Sequence, residues 1–248
     1  MQQVKPTIVS CNIEHAVATI VMDDGKGNVI SPEMLRQLNQ ALDQAEKENA
    51  VVLLTGSGDI FCAGFDLKIL KTGVLNTFAM LIGGFELSKR LLSFPTPVVI
   101  ACNGHTLAMG SFLLLSGDYR IGVEGQVKIV ANEVEIGLTM PHSAIEICRQ
   151  RLRPAHFDRA VLLSELYNPQ TAVEAGFLDK VVPKEALYEE ALKLAKQFAS
   201  LDLKAHKRTK LRMRRELLKA LRRAIRADKI DFVAQGLQRI FGKKQMAT

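Results

Sequence analysis

Residues 51–68 read VVLLTGSGDIFCAGFDLK. Val51 to Gly56 is a short run, mostly apolar, that ends in glycine and is followed by Ser57, the pattern of a buried strand running into a turn. The stretch after it, FCAGFDL (residues 61–67), is harder to explain as a simple connection. Cys62, Ala63 and Gly64 carry almost no side-chain chemistry. If this loop acts on a substrate, it must do so through backbone N–H groups.

Outward from this stretch, strands and helices alternate. TIVSCNI and AVATIVM (7–13 and 16–22) read as paired strands, followed by a Gly- and Asn-rich loop, DDGKGNVIS. Ser31 and Pro32 then open a helix, since serine is a favoured N-cap and proline fits the first turn; Leu35, Leu38 and Leu42 line one of its faces. After the FCAGFDL loop a helix is expected from about Asn76 to Phe94, then a buried strand VVIAC (98–102) behind Pro95 and Pro97. NGHTLAMGSFLLLSGD (103–118) turns at Asn103-Gly104 and starts a short apolar helix near Met109. DYRIGV and VKIV read as two further strands, and from His142 onward the pattern is almost entirely helical.

The 248 residues are 48% hydrophobic, enough for a substantial core, and no apolar run approaches the roughly 20 residues of a membrane span. MQQVKPTIVS lacks the basic-then-apolar order of a secretory signal, so the expected location is cytoplasmic. The four cysteines are scattered without a CxxC pair, which argues against a disulfide framework and a zinc site. Charge is uneven. Residues 201–248 hold 15 Lys and Arg against 4 Asp and Glu, whereas the first 200 residues carry a net −4. Leu211, Leu217, Leu218, Leu221 and Ile225 recur at helical spacing within this basic tail. Such a helix suits a solvated face, a nucleic acid, a membrane surface or a polyanionic ligand.

Alternating elements argue for an α/β core with parallel strands, whose ligands sit at strand carboxyl ends. FCAGFDL and NGHTLAMG both leave such ends. Two backbone N–H groups, one from each loop, could together bind a developing oxyanion, the second aided by the positive end of the following helix.

FCAGFDLK, NGHTLAMG and NEVEIGL resemble, in order and spacing, three signature segments of the crotonase (enoyl-CoA hydratase/isomerase) superfamily. The likeness covers nearly the whole chain. It implies an α/β fold, a spiral of ββα units over residues 1–195 followed by a basic C-terminal helical trimerisation region over 196–248. It also implies acyl-CoA thioester substrates, no cofactor beyond the CoA of the substrate, and homotrimers or dimers of trimers. By the resemblance, the oxyanion donors are the N–H groups of Phe65 and of Met109, where the family usually has glycine. Ala63 and Gly64 let the thioester come close, Gly110 follows the second donor, and Lys68 is a phosphate partner for CoA. Lys207, Lys210 and Arg214 in the tail are alternative phosphate partners.

Hydratases of this family use two glutamates. The resemblance puts Phe112 at the place of the first and Glu133 at that of the second, with one residue inserted before Pro141. Glu135 is the competitor; in a locally extended segment only one of the two faces the pocket. A single carboxylate in an apolar pocket formed with Phe65, Met109 and Phe112 suits a proton shuttle, since desolvation raises its pKa toward neutrality. The expected activity is Δ3,Δ2-enoyl-CoA isomerisation, with enoyl-CoA hydration as the alternative. One branch of the family binds RNA, but the tail lacks aromatic residues interleaved with its cations, which argues against nucleic acid.

Other residues are weaker candidates. His105 and His142 read as hydrogen-bonded structural residues, and Ser111 lacks a GxSxG elbow. Asp66 is expected to cap the following helix. Cys62 has no evident activating base, and there is no P-loop or HExxH spacing.

Overall fold

The computed structural model of the chain describes residues 6–69 and 74–245. Its N-terminal hairpin pairs β1 (Val9–Glu14) with β2 (Val17–Met22) in antiparallel fashion. Helix α1 (Pro32–Lys47) follows with the expected start: the Ser31 side chain accepts the Met34 N–H, and Pro32 occupies the first turn. β3 (Val51–Gly56), β5 (Val98–Cys102), β7 (Tyr119–Val123) and β9 (Lys180–Val182) then add in parallel, giving a six-stranded sheet in the order β1-β2-β3-β5-β7-β9.

After each of β3, β5 and β7 the chain lays down one very short strand in a second sheet. These are β4 (Ile60–Cys62), β6 (His105–Leu107) and β8 (Ile129–Val130), stacked in parallel as β4-β6-β8. The first two such turns are completed by helices, α2 (Val74–Leu92) after β4 and α3 (Met109–Leu115) after β6. One strand to each sheet per turn makes the chain a spiral of ββα units.

Two expectations are corrected here. FCAGFDL begins with strand residues (Phe61 and Cys62) and NGHTLAMG contains a strand (His105–Leu107), and β9 lies in a region read as helical. Strands of two or three residues are too short to show a period of two.

The large sheet is buried on both faces. Along β3 and β5, Val52, Leu54, Val98 and Ile100 pack into the main core, while Val51, Leu53, Val99 and Ala101 meet Leu187, Ala191 and Ala195 of α7 (Leu187–Ala199). This strict alternation follows from the pleat and explains why both strands read as continuous apolar runs.

The remaining helices are α4 (His142–Arg151), α5 (Pro154–Leu163), α6 (Pro169–Ala175), α8 (Leu203–Met213) and α9 (Arg215–Gln245). The basic tail is therefore two helices. The break at Arg214 takes Leu211 off the apolar stripe: it is exposed, whereas Leu217, Leu218, Leu221 and Ile225 are buried as α9 packs across α2 and α4. Asp228, a rare acid in this stretch, is buried and accepts the backbone N–H groups of His142 (2.8 Å) and Ser143 (2.9 Å). It caps α4 from another helix, satisfying donors that Pro141 at the N-cap position cannot.

Candidate active site

Residues 63–66 are held against the segment after β2. Ala63 donates to Gly27 O (2.9 Å), Ile30 donates to Gly64 O (2.8 Å), and Asp66 donates to Ile30 O (3.1 Å). This is a one-residue parallel bridge between Ile30 and Phe65. Such a bridge uses the groups flanking Phe65, so the Phe65 N–H points to the opposite side. Among the described residues it has no backbone acceptor. Gly64 has φ +94°, a conformation that a side chain would strain.

The second loop arrives beside the first. Ala108 (φ 48°, ψ −122°) turns the chain from β6 into α3, so Met109 is the first helical residue. First-turn N–H groups have no partner within their helix, and Ala108 has no side chain to cap them. A Cβ placed on Gly64 would lie 3.0 Å from Ala108 Cβ and 3.6 Å from Met109 N. Gly110 fits under β4, where a Cβ would lie 2.2 Å from Cys62 O. The two proposed donors are thus brought to one place by contacts that only glycine at positions 64 and 110 allows.

Glu133 follows β8, which pairs with β6 immediately before Ala108; the Ala108 N–H donates to Val130 O (3.0 Å). The 132–138 segment is a tight turn, with Ile136 N–H bonded to Asn132 O and Leu138 N–H to Glu133 O, and is not extended as supposed. The turn buries Glu133 (6% exposed) and leaves Glu135 exposed. Burial raises the Glu133 carboxyl to about 7, with its own backbone N–H opposing the shift, and its Oε2 is buried without a hydrogen-bond partner. The negative charge of Glu133, after burial itself, helps push up the thiol of Cys148 on α4.

Phe112 is fully buried on α3. Its ring lies 6.2 Å from that of Phe85 on α2, which in turn meets Phe65 edge-on at 6.2 Å. The Met109 side chain finds room because α2 carries glycine at its contact: a Cβ on Gly84 would fall 2.7 Å from Phe65 Cε1 and 3.3 Å from Met109 Cε. Phe85, Gly84 and Cys148 escaped the sequence reading. The only signal was the Gly83-Gly84 pair inside a helix, where glycine is costly without a packing reason.

Lys68 is exposed next to the first loop. Asp66 accepts the Lys68 N–H (2.8 Å) in the turn after that loop; the start of the following helix, which Asp66 was expected to cap, lies outside the described residues. Ser111 Oγ donates to Val130 O, His105 Nδ1 accepts the Lys128 N–H, and His142 Nε2 pairs with Asp231, all structural roles. Cys62 is buried and its thiol pushed up to about 12, the state of an inert thiol. Of the tail cations, Lys207 is exposed, whereas Lys210 and Arg214 are buried against Asp118 and do not face solvent. Among the described residues no cluster of His, Cys, Asp and Glu could hold a metal, and no helix is long and apolar enough to cross a membrane.

Comparison with known proteins gives the family. A protein from Pseudomonas syringae described as of the enoyl-CoA hydratase/isomerase family is 45% identical over 90% of this chain and 96% of its own, with a TM-score of 0.88. A Mycobacterium tuberculosis protein, described as a probable enoyl-CoA hydratase in one structure and as an enoyl-CoA isomerase in another, is 43% identical over 93% and 92% of this chain and 98% of its own, with TM-scores of 0.89 and 0.85. A putative enoyl-CoA hydratase from Thermus thermophilus is 30% identical over 84% of this chain and 81% of its own. The enoyl-CoA hydratase/isomerase family model matches residues 12–240. With its two-sheet spiral, its converging loops and this match over most of its length, the chain belongs to the enoyl-CoA hydratase/isomerase family of the crotonase superfamily.

Proposed function

We propose that the protein is a Δ3,Δ2-enoyl-CoA isomerase that uses Glu133 as its only acid/base group. The observation that carries this reading is one buried carboxyl, pushed up to about 7 by burial and with its Oε2 unpartnered, together with a buried Phe112 at the position that the family resemblance assigns to a second glutamate. A phenyl ring can neither accept a proton nor position a water for addition.

The thioester oxygen of a 3-enoyl-CoA takes the N–H groups of Phe65 and Met109. Glu133 removes a proton from C2, and the electron pair flows into a dienolate whose oxygen charge those two donors stabilise. The protonated Glu133 then delivers the proton to C4, leaving the double bond between C2 and C3. A base titrating near neutrality has both protonation states within reach, as a shuttle needs. Phe65, Phe85 and Phe112 form an apolar wall with no group to activate water. In this reading the exposed Lys68 beside the first loop meets a CoA phosphate.

The test is turnover of a 3-enoyl-CoA and a 2-enoyl-CoA of equal chain length by the purified protein. Conjugated thioester formed from the first, with little water added to the second, supports the reading. Rapid hydration of the second would replace isomerase with hydratase.

A further inference from the structure

The segment between β2 and α1, DDGKGNV (residues 23–29), grips the first oxyanion loop. Gly27 O accepts the Ala63 N–H, and Ile30, directly after the segment, forms the bridge that sets the direction of the Phe65 N–H. A buried amide holds this segment in turn. Asn28 is 1% exposed and has φ 51°, in the left-handed region where glycine is the usual choice. Glycines stand at 25 and 27, yet position 28 keeps a side chain. Backbone strain at a non-glycine residue persists only where the surroundings fix it, and it points to a use for that side chain.

Every polar atom of the amide is engaged. Asn28 Oδ1 accepts the Asp24 N–H (3.3 Å), and Nδ2 donates to Ser57 O (3.1 Å) and Ile60 O (2.7 Å). Ser57 lies just after β3, and Ile60 opens β4, the strand that leads into residues 63–66. Asp24 folds the segment around this amide: its carboxylate accepts the N–H groups of Lys26, Asn28 and Val29, each at 2.8 Å. Burial alone would raise that carboxyl, and these N–H groups with that of Gly27 hold it below the usual carboxylate range. The second donor loop is tied to the same point. Asn103, its first residue, accepts the Gly56 N–H (3.0 Å) and donates to Gly58 O (2.9 Å) and to Ile60 O (3.4 Å), the carbonyl that Asn28 already holds. The two amides meet only because β3 ends in glycine: a Cβ on Gly56 would lie 2.7 Å from Asn28 Nδ2 and 2.9 Å from Asn103 Oδ1.

We propose that Asn28 is a positioning residue for the oxyanion site, its amide joining the segment that grips Phe65 to the point from which both donor loops start. The inference rests on the two-donor reading above and not on whether the enzyme isomerises or hydrates. Without the amide the Phe65 N–H is still present, but its direction is no longer fixed. That weakens stabilisation of the charged transition state more than binding of the neutral ester.

The test is Asn28→Gly in the full chain, a change that tolerates φ 51° and removes the amide. Butanoyl-CoA, isotopically labelled at its thioester carbonyl, has no double bond to move, so its infrared band when bound reads the two donors apart from any turnover. In the unaltered protein this band should lie below that of the free ester. In Asn28→Gly it should move back toward the free position, and kcat on the enoyl-CoA substrate should fall about tenfold or more while the butanoyl-CoA Kd changes less than about threefold. Asp24→Asn takes one acceptor from the three N–H groups and serves if the glycine variant does not fold; it should move both readouts the same way by less. A band and kcat that stay unchanged while the melting temperature falls would overturn the proposal, because Asn28 would then serve stability alone. An unshifted band in the unaltered protein would overturn it together with the two-donor reading. Hydration in place of isomerisation, with the band shifts intact, would support it while replacing the isomerase reading.

Discussion

Gly64 and Met109 belong to different turns of the spiral, yet a methyl group on Gly64 would come within 3.6 Å of the Met109 nitrogen. Two N–H groups can share one oxygen only if the chains that carry them approach this closely. Gly64→Ala should therefore fail twice, through φ +94° and through the 3.0 Å contact with Ala108 Cβ. We expect kcat to fall by about two orders of magnitude, the usual cost of losing an oxyanion donor. Ala108→Gly, which relieves a positive φ, should instead hold or raise stability by up to about 1 kcal/mol with turnover retained. Steady-state kinetics and thermal melts of the two variants separate these effects.

Glu133→Gln keeps the shape of the side chain and removes the base. Turnover should drop by about three orders of magnitude or more while CoA-ester binding, measured by calorimetry, changes little. In the unaltered protein, kcat/KM should rise with pH through about 7 as the carboxyl ionises.

The same group makes stability pH-dependent. Its folded pKa is raised above 4.5, so the folded state holds the proton more tightly than the unfolded one. The stability it contributes is fully present below about pH 4.5 and is lost as pH rises through about 7. Glu133→Gln should flatten this dependence and be more stable at pH 8, by up to about 3 kcal/mol. Urea titrations at pH 5 and pH 8 measure the difference.

Asp228 fastens α9 to the start of α4. Asp228→Ala leaves two backbone donors unpaired, and a loss of about 2 kcal/mol is expected. Hydrogen exchange should then show the first turn of α4 opening before the sheet does. Asp228→Asn, which keeps one acceptor, should lose less.

Asp118→Ala tests the buried charge cluster. Removing the carboxylate strands Lys210 and Arg214 without a counter-charge, and about 3–5 kcal/mol should be lost. Denaturant unfolding of this variant measures the loss directly.

All of the large sheet but the three-residue β9 was legible, because its other strands are long enough for burial to be written into the residues; Val51–Leu54 and Val98–Ala101 are apolar on both faces. Of the small sheet only Ile129-Val130, within VKIV, was read as a strand; Ile60-Phe61-Cys62 and His105-Thr106-Leu107 are too brief for any period. Glycine and small residues at 63, 64 and 110 marked the two loops that the structure brings together, while the choice of Glu133 over Glu135 as the buried carboxyl needed the turn at 132–138 to be seen. Tertiary partnerships left no local trace. Asp228, Lys210 and Arg214 read as members of a solvated basic helix until α9 and the sheet are placed against them.

The account rests on one group carrying a proton from C2 to C4, and label transfer tests it most directly. A 3-enoyl-CoA deuterated at both C2 positions should give a 2-enoyl product with deuterium at C4, because the acid formed on Glu133 is buried and gives up its deuteron before it exchanges with water. A product whose C4 carries only solvent hydrogen would contradict the account, since the proton would then have come from a second acid or from water.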